Sequence, residues 1–153
     1  MATTVRDIME TGVATVYPED GVEKVIRTMR AHELPAIPVI NEGERCVGII
    51  TEADLVMAGE EADLHLPHYF ELFGGIVFLE STKKFEARLR KAIGSTASDV
   101  MTQDPITIEP DATVAEAART IAREKHNRLP VVEHGRLIGV VTRIDVLDAL
   151  TAE

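Results

Sequence analysis

Two threonine–aspartate pairs are the residues best suited to hold a ligand in this 153-residue chain. Thr51 and Asp54 stand three apart, as do Thr142 and Asp145, and each pair follows an apolar run containing Gly48 or Gly139. Thr three residues before an acid is a helix N-cap signature, in which hydroxyl and carboxylate answer each other's backbone amides. The same arrangement can do chemistry. An ionised carboxylate at a helix start accepts two hydrogen bonds from the vicinal hydroxyls of a ribose. The neighbouring helix amides and the Thr hydroxyl can take a phosphate. Capping boxes prefer Glu or Gln, whose longer side chains reach back more easily, yet both copies here use Asp. That choice favours a nucleoside phosphate ligand, with simple capping as the competing reading.

The pairs belong to a larger duplication. Asp7–Met9 returns as Asp99–Met101, Thr15–Pro18 as Thr107–Pro110, Ile37–Ile40 as Leu129–Val132, and Gly48–Leu55 as Gly139–Val146. Two copies of one unit imply a module with pseudo-twofold symmetry and a ligand where the halves meet. The repeats span residues 1–56 and 97–153, separated by an insert at 57–96.

Each copy carries the elements needed to present its Thr-x-x-Asp turn. A short strand, Val13–Val16 or Ile106–Ile108, is closed by a proline. Val22, Val25, Ile26 and Met29 then recur at helical spacing, as do Val114, Ala117, Ala118 and Ile121. Asp20 with Glu23, and Thr113 with Glu116, read as capping boxes for these helices. Two buried strands follow, Ile37–Ile40 with Cys46–Ile50, and Leu129–Val132 with Leu137–Val141, joined by turns at Gly43 and Gly135. Pro38 and Pro130 mark a sheet edge whose free backbone groups could pair with a planar ligand. A last helix starts at Thr51 or Thr142. The fold class is therefore α/β (α+β), with tandem βαββα repeats. The insert reads as mainly helical, with Lys83–Ile93 charged and amphipathic. Its apolar cluster around Phe70, Phe73 and Phe78 suits a lid or, preferably, a dimer contact.

The order and duplication of these motifs resemble the cystathionine β-synthase (CBS) domain, and the chain as a whole resembles a CBS pair, or Bateman module. The residues that carry the resemblance are the two Asp-x-Met runs, Thr15 and Thr107 before their prolines, Ile37–Val39 and Leu129–Val131, and the Gly-x-x-Thr-x-x-Asp runs at Gly48–Asp54 and Gly139–Asp145. The resemblance implies a CBS-pair fold with two clefts that take adenosine compounds such as AMP, ADP, ATP or S-adenosylmethionine. It implies that Asp54 and Asp145 bind ribose, and that Thr51 and Thr142 bind ribose or phosphate. Main chain around Ile37 and Leu129, with the segments at Thr15 and Thr107, would frame the adenine. Members of the family commonly form homodimers and regulate an attached or partner protein.

The two copies differ in charge. Lys125, Arg128 and Arg143 stand where the first copy has Glu33, Ala36 and Glu52. Arg meets phosphate oxygens bidentately and Glu repels them, so the Asp145 site is expected to be the better nucleotide site.

Other functions find little support. The chain carries a formal charge of −10, and neither repeat is basic: residues 1–56 hold 5 basic and 10 acidic side chains, residues 97–153 hold 6 and 10. Nucleic acid is not an expected partner. No apolar run is long enough for a membrane span. The single cysteine, Cys46, fits a reducing cytoplasm. His65 and His68 lack further ligands at metal spacing, and no catalytic motif is visible. The reading is a non-enzymatic cytoplasmic sensor that needs no cofactor, binds an adenine nucleotide and signals to a protein partner. The alternatives are a ligand-free dimerisation module, or a binder of S-adenosylmethionine or a dinucleotide.

Overall fold

A computed structural model of the chain describes residues 3–55, 69–72, 75–78 and 96–152. The elements in order are α1 (Val5–Ile8), α2 (Val22–Ala31), β1 (Ala36–Ile40), β2 (Cys46–Thr51), β3 (Tyr69–Leu72), β4 (Gly75–Phe78), α3 (Ala97–Val100), β5 (Thr102–Gln103), α4 (Val114–Glu124), β6 (Arg128–Glu133), β7 (Arg136–Thr142) and α5 (Arg143–Thr151). Residues 52–55 after β2 are also helical.

The chain forms two compact units, and they cut across the sequence repeats. One unit takes Met1–Val13, Glu42–Cys46 and Pro105–Glu153; the other takes Ala14–Asn41 and Val47–Asp104. Each repeat's opening Asp-x-Met segment is thus built into the unit that holds the other repeat's hairpin.

In the first of these units, β6 and β7 pair antiparallel, with Arg128 opposite Thr142 and Leu129 opposite Val141. Glu10 bridges antiparallel to Val140 on one side, and Ile108 bridges parallel to Val131 on the other. In the second unit, β1, β2 and β5 form a sheet in that order, with Ile49 opposite Thr102 and Val16 bridging parallel to Val39. These contacts fall at equivalent positions of the repeat. The short helices obey the same rule. The amides of Val5 and Arg6 donate to the carbonyls of Ala112 and Pro110 at 2.8 and 2.9 Å, and those of Ala97 and Ser98 to Asp20 and Pro18 at 2.7 and 2.9 Å. None of the four amides of such a helix has an α-helical acceptor within it, so these outside carbonyls are what fasten it down.

Each unit has its own core. Val22, Val25, Ile26 and Met29 of α2 pack with Ile37, Val39 and Ile50. Val114, Ala117 and Ile121 of α4 pack with Leu129, Val131 and Val141. The helical spacing read from the sequence is the spacing that buries these faces. Cys46 is half-buried at the start of β2.

Three local expectations change. The strands expected at Val13–Val16 and Ile106–Ile108 shrink to one bridge each. In a parallel ladder Val16 bonds the carbonyl of Pro38 at 3.1 Å and the amide of Ile40 at 2.9 Å. The next rung would need an N–H from Pro38, and proline has none; Pro130 stops the Ile108 segment in the same way. Those edges are therefore filled at the prolines, whose carbonyls are taken by Val16 and Ile108, not open as expected. Second, Asp20 does not cap α2. The N-cap is Gly21, and Asp20 accepts from the Tyr17 amide at 2.8 Å. Thr113 and Glu116 do form the expected box on α4. Third, the described part of the insert is extended: β3 and β4 pair antiparallel, with Tyr69 opposite Phe78 and Leu72 opposite Gly75. The segment Lys83–Ile93, expected to be helical, lies outside the described residues.

Glycines permit the close approach of the exchanged segments. A Cβ on Gly139 would stand 2.7 Å from the Glu10 carbonyl oxygen and 2.9 Å from the Met9 sulfur. One on Gly48 would meet the Met101 sulfur at 2.5 Å and the Thr102 carbonyl at 3.1 Å. Backbone yields less readily than the end of a methionine. Gly139→Ala should therefore cost about 1–3 kcal/mol of stability by overpacking, and Gly48→Ala less, as read from urea unfolding midpoints.

Candidate functional site

Thr142 is the N-cap of α5, with extended backbone (φ −106°, ψ 163°). Its Oγ1 accepts from the Asp145 amide at 3.1 Å, and its amide donates to Asp145 Oδ2 at 2.9 Å. Thr51 and Asp54 repeat the arrangement at 3.1 and 3.0 Å. Both turns are thus capping boxes. The expectation that Asp reaches back poorly is overturned, since Asp7 and Asp99 likewise reach back to accept from the Thr4 and Thr96 amides at 3.0 and 3.2 Å. An extended N-cap lays its amide against the first turn, close enough for the shorter side chain. The Thr4 amide, and then its hydroxyl, hold the exposed Asp7 carboxyl below the ordinary carboxylate range.

Capping does not use up the carboxylate. It offers about four lone-pair directions, and the cap takes one. Asp54 and Asp145 are half-buried, and Thr142 is buried. Each turn therefore presents a fixed anion at the positive end of a helix, with acceptor capacity left for a diol.

The sequence-derived residues separate by unit. Thr107, Arg128, Leu129, Thr142, Arg143 and Asp145 share one unit; Thr15, Ile37, Thr51 and Asp54 share the other. Within the first, Arg128 lies opposite Thr142 in the β6–β7 register, and the Arg143 amide donates to the Asn127 carbonyl at 2.8 Å. Arg143 and Thr107 are exposed, and Arg128 is half-buried. Ile37 and Leu129 are fully buried in the cores, so only their main chain is available to a ligand.

Two residues beside these turns were not singled out from the sequence: Glu10 and Thr102. They occupy equivalent places, each directly after the repeated Asp-x-Met. Thr102 donates its hydroxyl to Asp54, 3.2 Å from Oδ1 and 3.3 Å from Oδ2. Glu10 instead brings a second carboxyl to Asp145. Removal from water raises its pKa above the ordinary carboxylate value; the hydrogen bond and negative charge of Asp145 raise it further, and Arg128 pulls it back. The recurrence of Asp-x-Met was a signal that could have drawn attention to the next residue.

Among the described residues, no group of three or more His, Cys, Asp or Glu is placed to hold a metal, and no helix is long and apolar enough to cross a membrane. His65 and His68 lie outside the described residues.

Two α/β units, each joining a hairpin to a capped helix and a borrowed segment, define a tandem-repeat module. Comparison with known proteins places it. The CBS domain family matches residues 5–61 and 97–152, and the chain belongs to that family as a CBS pair. An uncharacterised protein of Methanocaldococcus jannaschii is 34% identical over 152 residues, covering 95% of this chain and 90% of the relative. The inosine-5′-monophosphate dehydrogenase of Korarchaeum cryptofilum is 38% identical over 135 residues, but the match spans 88% of this chain and only 21% of the enzyme. The similarity is thus to a minor part of that enzyme. Among solved structures, the CBS-pair protein CBSX2 of Arabidopsis thaliana, in complex with AMP, superposes with a TM-score of 0.74 at 25% identity, covering 98% of this chain and 97% of that one.

The Glu10 carboxyl gives the stability a pH signature. With its pKa raised by folding, the native state holds that proton more tightly than the unfolded chain. Stability from this group is full at acid pH and is lost as pH climbs from the ordinary glutamate value through the folded one. Glu10→Thr, which installs the residue of the other copy, should remove that loss. Its melting temperature relative to the parent should rise as pH climbs above the ordinary glutamate value of about 4, measured by calorimetry from acid to neutral pH.

Proposed function

We propose that this protein is a non-enzymatic cytoplasmic sensor that binds an adenine nucleotide (AMP, ADP or ATP) at its Thr-x-x-Asp turns and signals occupancy to a protein partner. The observation that carries the reading is the duplicated turn, in which a capped helix start holds an Asp carboxylate with acceptor capacity to spare. Asp54 and Asp145 hold the ribose hydroxyls, and Thr51 and Thr142 with the first helix amides face the phosphate. Main chain at Ile37 and Leu129, and the segments at Thr15 and Thr107, frame the base. Arg128 and Arg143 supply positive charge to the second-copy site. The AMP bound by the similar CBSX2 supports an adenine nucleotide as the ligand class. The signal is a shift between conformations that differ in nucleotide affinity.

AMP at 100 times its dissociation constant should stabilise the protein by about 2.7 kcal/mol, a rise of roughly 5–11 °C in Tm for a domain of this size. Asp54→Ala and Asp145→Ala together should abolish the shift. No shift with AMP, ADP or ATP would return the turns to a purely structural role.

The functional unit is a homodimer. Helix α5 buries Val146 and leaves Ile144, Leu147 and Leu150 at 56%, 48% and 45% exposure, three large apolar side chains at helical spacing. A helix apolar on its outer side as well as its inner one is suited to a second covering surface. Leu147→Glu combined with Ile144→Glu should shift the protein from dimer to monomer in sedimentation equilibrium; an unchanged mass would remove α5 from the interface.

A further inference from the structure

We propose that Glu10 is a positioning residue for the second-copy site, which opens or closes Asp145 to a ligand according to its own protonation. The inference rests on the nucleotide reading above and adds a pH response to one of the two sites.

The placement is backbone-driven. Glu10 and Val140 exchange two main-chain hydrogen bonds, of 2.8 and 2.9 Å, two residues before the Thr142 cap. The equivalent pairing of Thr102 with Ile49 brings the Thr102 hydroxyl onto Asp54. A residue at this position therefore faces the aspartate in both units, and only its chemistry differs. A threonine hydroxyl does not titrate in the physiological range, and it can turn to donate or accept. A glutamate donates only while protonated. Withdrawn from water and set beside an anion, it holds that proton longer than usual.

Protonated Glu10 donates its O–H to the Asp145 carboxylate, filling an acceptor site that a ribose hydroxyl would use. When the diol arrives, that O–H···O bond breaks, two O–H···O bonds from the ligand replace it, and Glu10 releases its proton to solvent as pH rises. No covalent bond changes. The charged groups acting on Glu10 are Asp145 from α5 and Arg128 from β6. On its own segment, Asp7 is held by Thr4, while Arg6 pairs with Glu133 and reaches Asp111 at 3.9 Å. At the Asp54 site the same place is held by Thr102, and this linkage is missing.

The test is calorimetric titration with AMP between about pH 5 and pH 8, on the Asp54→Ala background so that only the Asp145 site is read. Glu10→Thr and Glu10→Gln are measured beside the parent. The phosphate's own titration is common to all three and cancels in their ratios. Relative to Glu10→Thr, the parent should gain affinity with rising pH, by at most about tenfold per pH unit where Glu10 titrates. Glu10→Gln, a donor at every pH, should bind more weakly than Glu10→Thr by a constant factor. In the reciprocal direction, Thr102→Glu should confer the pH dependence on the Asp54 site. Parent and Glu10→Thr following the same course, or a parent affinity that falls with pH, would overturn the role of Glu10 and leave the nucleotide reading standing. No AMP binding by any form at any pH would overturn both.

Discussion

Everything in the two units depends on one close approach of backbones. Met9 and Glu10 lie against Gly139 and Val140, and Met101 and Thr102 lie against Gly48 and Ile49, at a separation that a single added methyl would obstruct. The pairing completes each sheet on the side away from the proline, fastens a four-residue helix that could not persist alone, and delivers one side chain to each aspartate. Since the segment comes from the other repeat, neither repeat owns a complete sheet. Duplication here produced two units that each require both copies of the sequence.

Much of this was legible in the residues. Val22, Val25, Ile26 and Met29 announced the buried face of α2, and Thr113 with Glu116 announced the start of α4, because helical period and capping are local properties. The hairpins were placed to within a residue or two, since their apolar runs are bounded by turns. The strands before Pro18 and Pro110 were overread, because whether an extended segment becomes a ladder depends on the partner's donors. Asp20 misled for a related reason: its carboxylate found the Tyr17 amide first, and Gly21 took the cap.

The candidate site was half visible. Thr-x-x-Asp could be read as a cap or as a ligand site, and its geometry shows the cap without consuming the carboxylate. What one copy alone could not reveal was the neighbour arriving from the other repeat. Glu10 and Thr102 are far from their aspartates in sequence, and only the exchanged pairing makes them comparable. The visible asymmetry, Arg128 and Arg143 against Ala36 and Glu52, is accompanied by a second one of opposite charge.

The prolines of β1 and β6 have a consequence beyond ending a ladder. A sheet edge with a regular row of donors and acceptors is a template on which another copy's strand can grow. Pro38 and Pro130 break that row at its middle, while a single short bridge covers the carbonyl beside each break. The sheets are thereby poor seeds for fibrous, edge-to-edge growth.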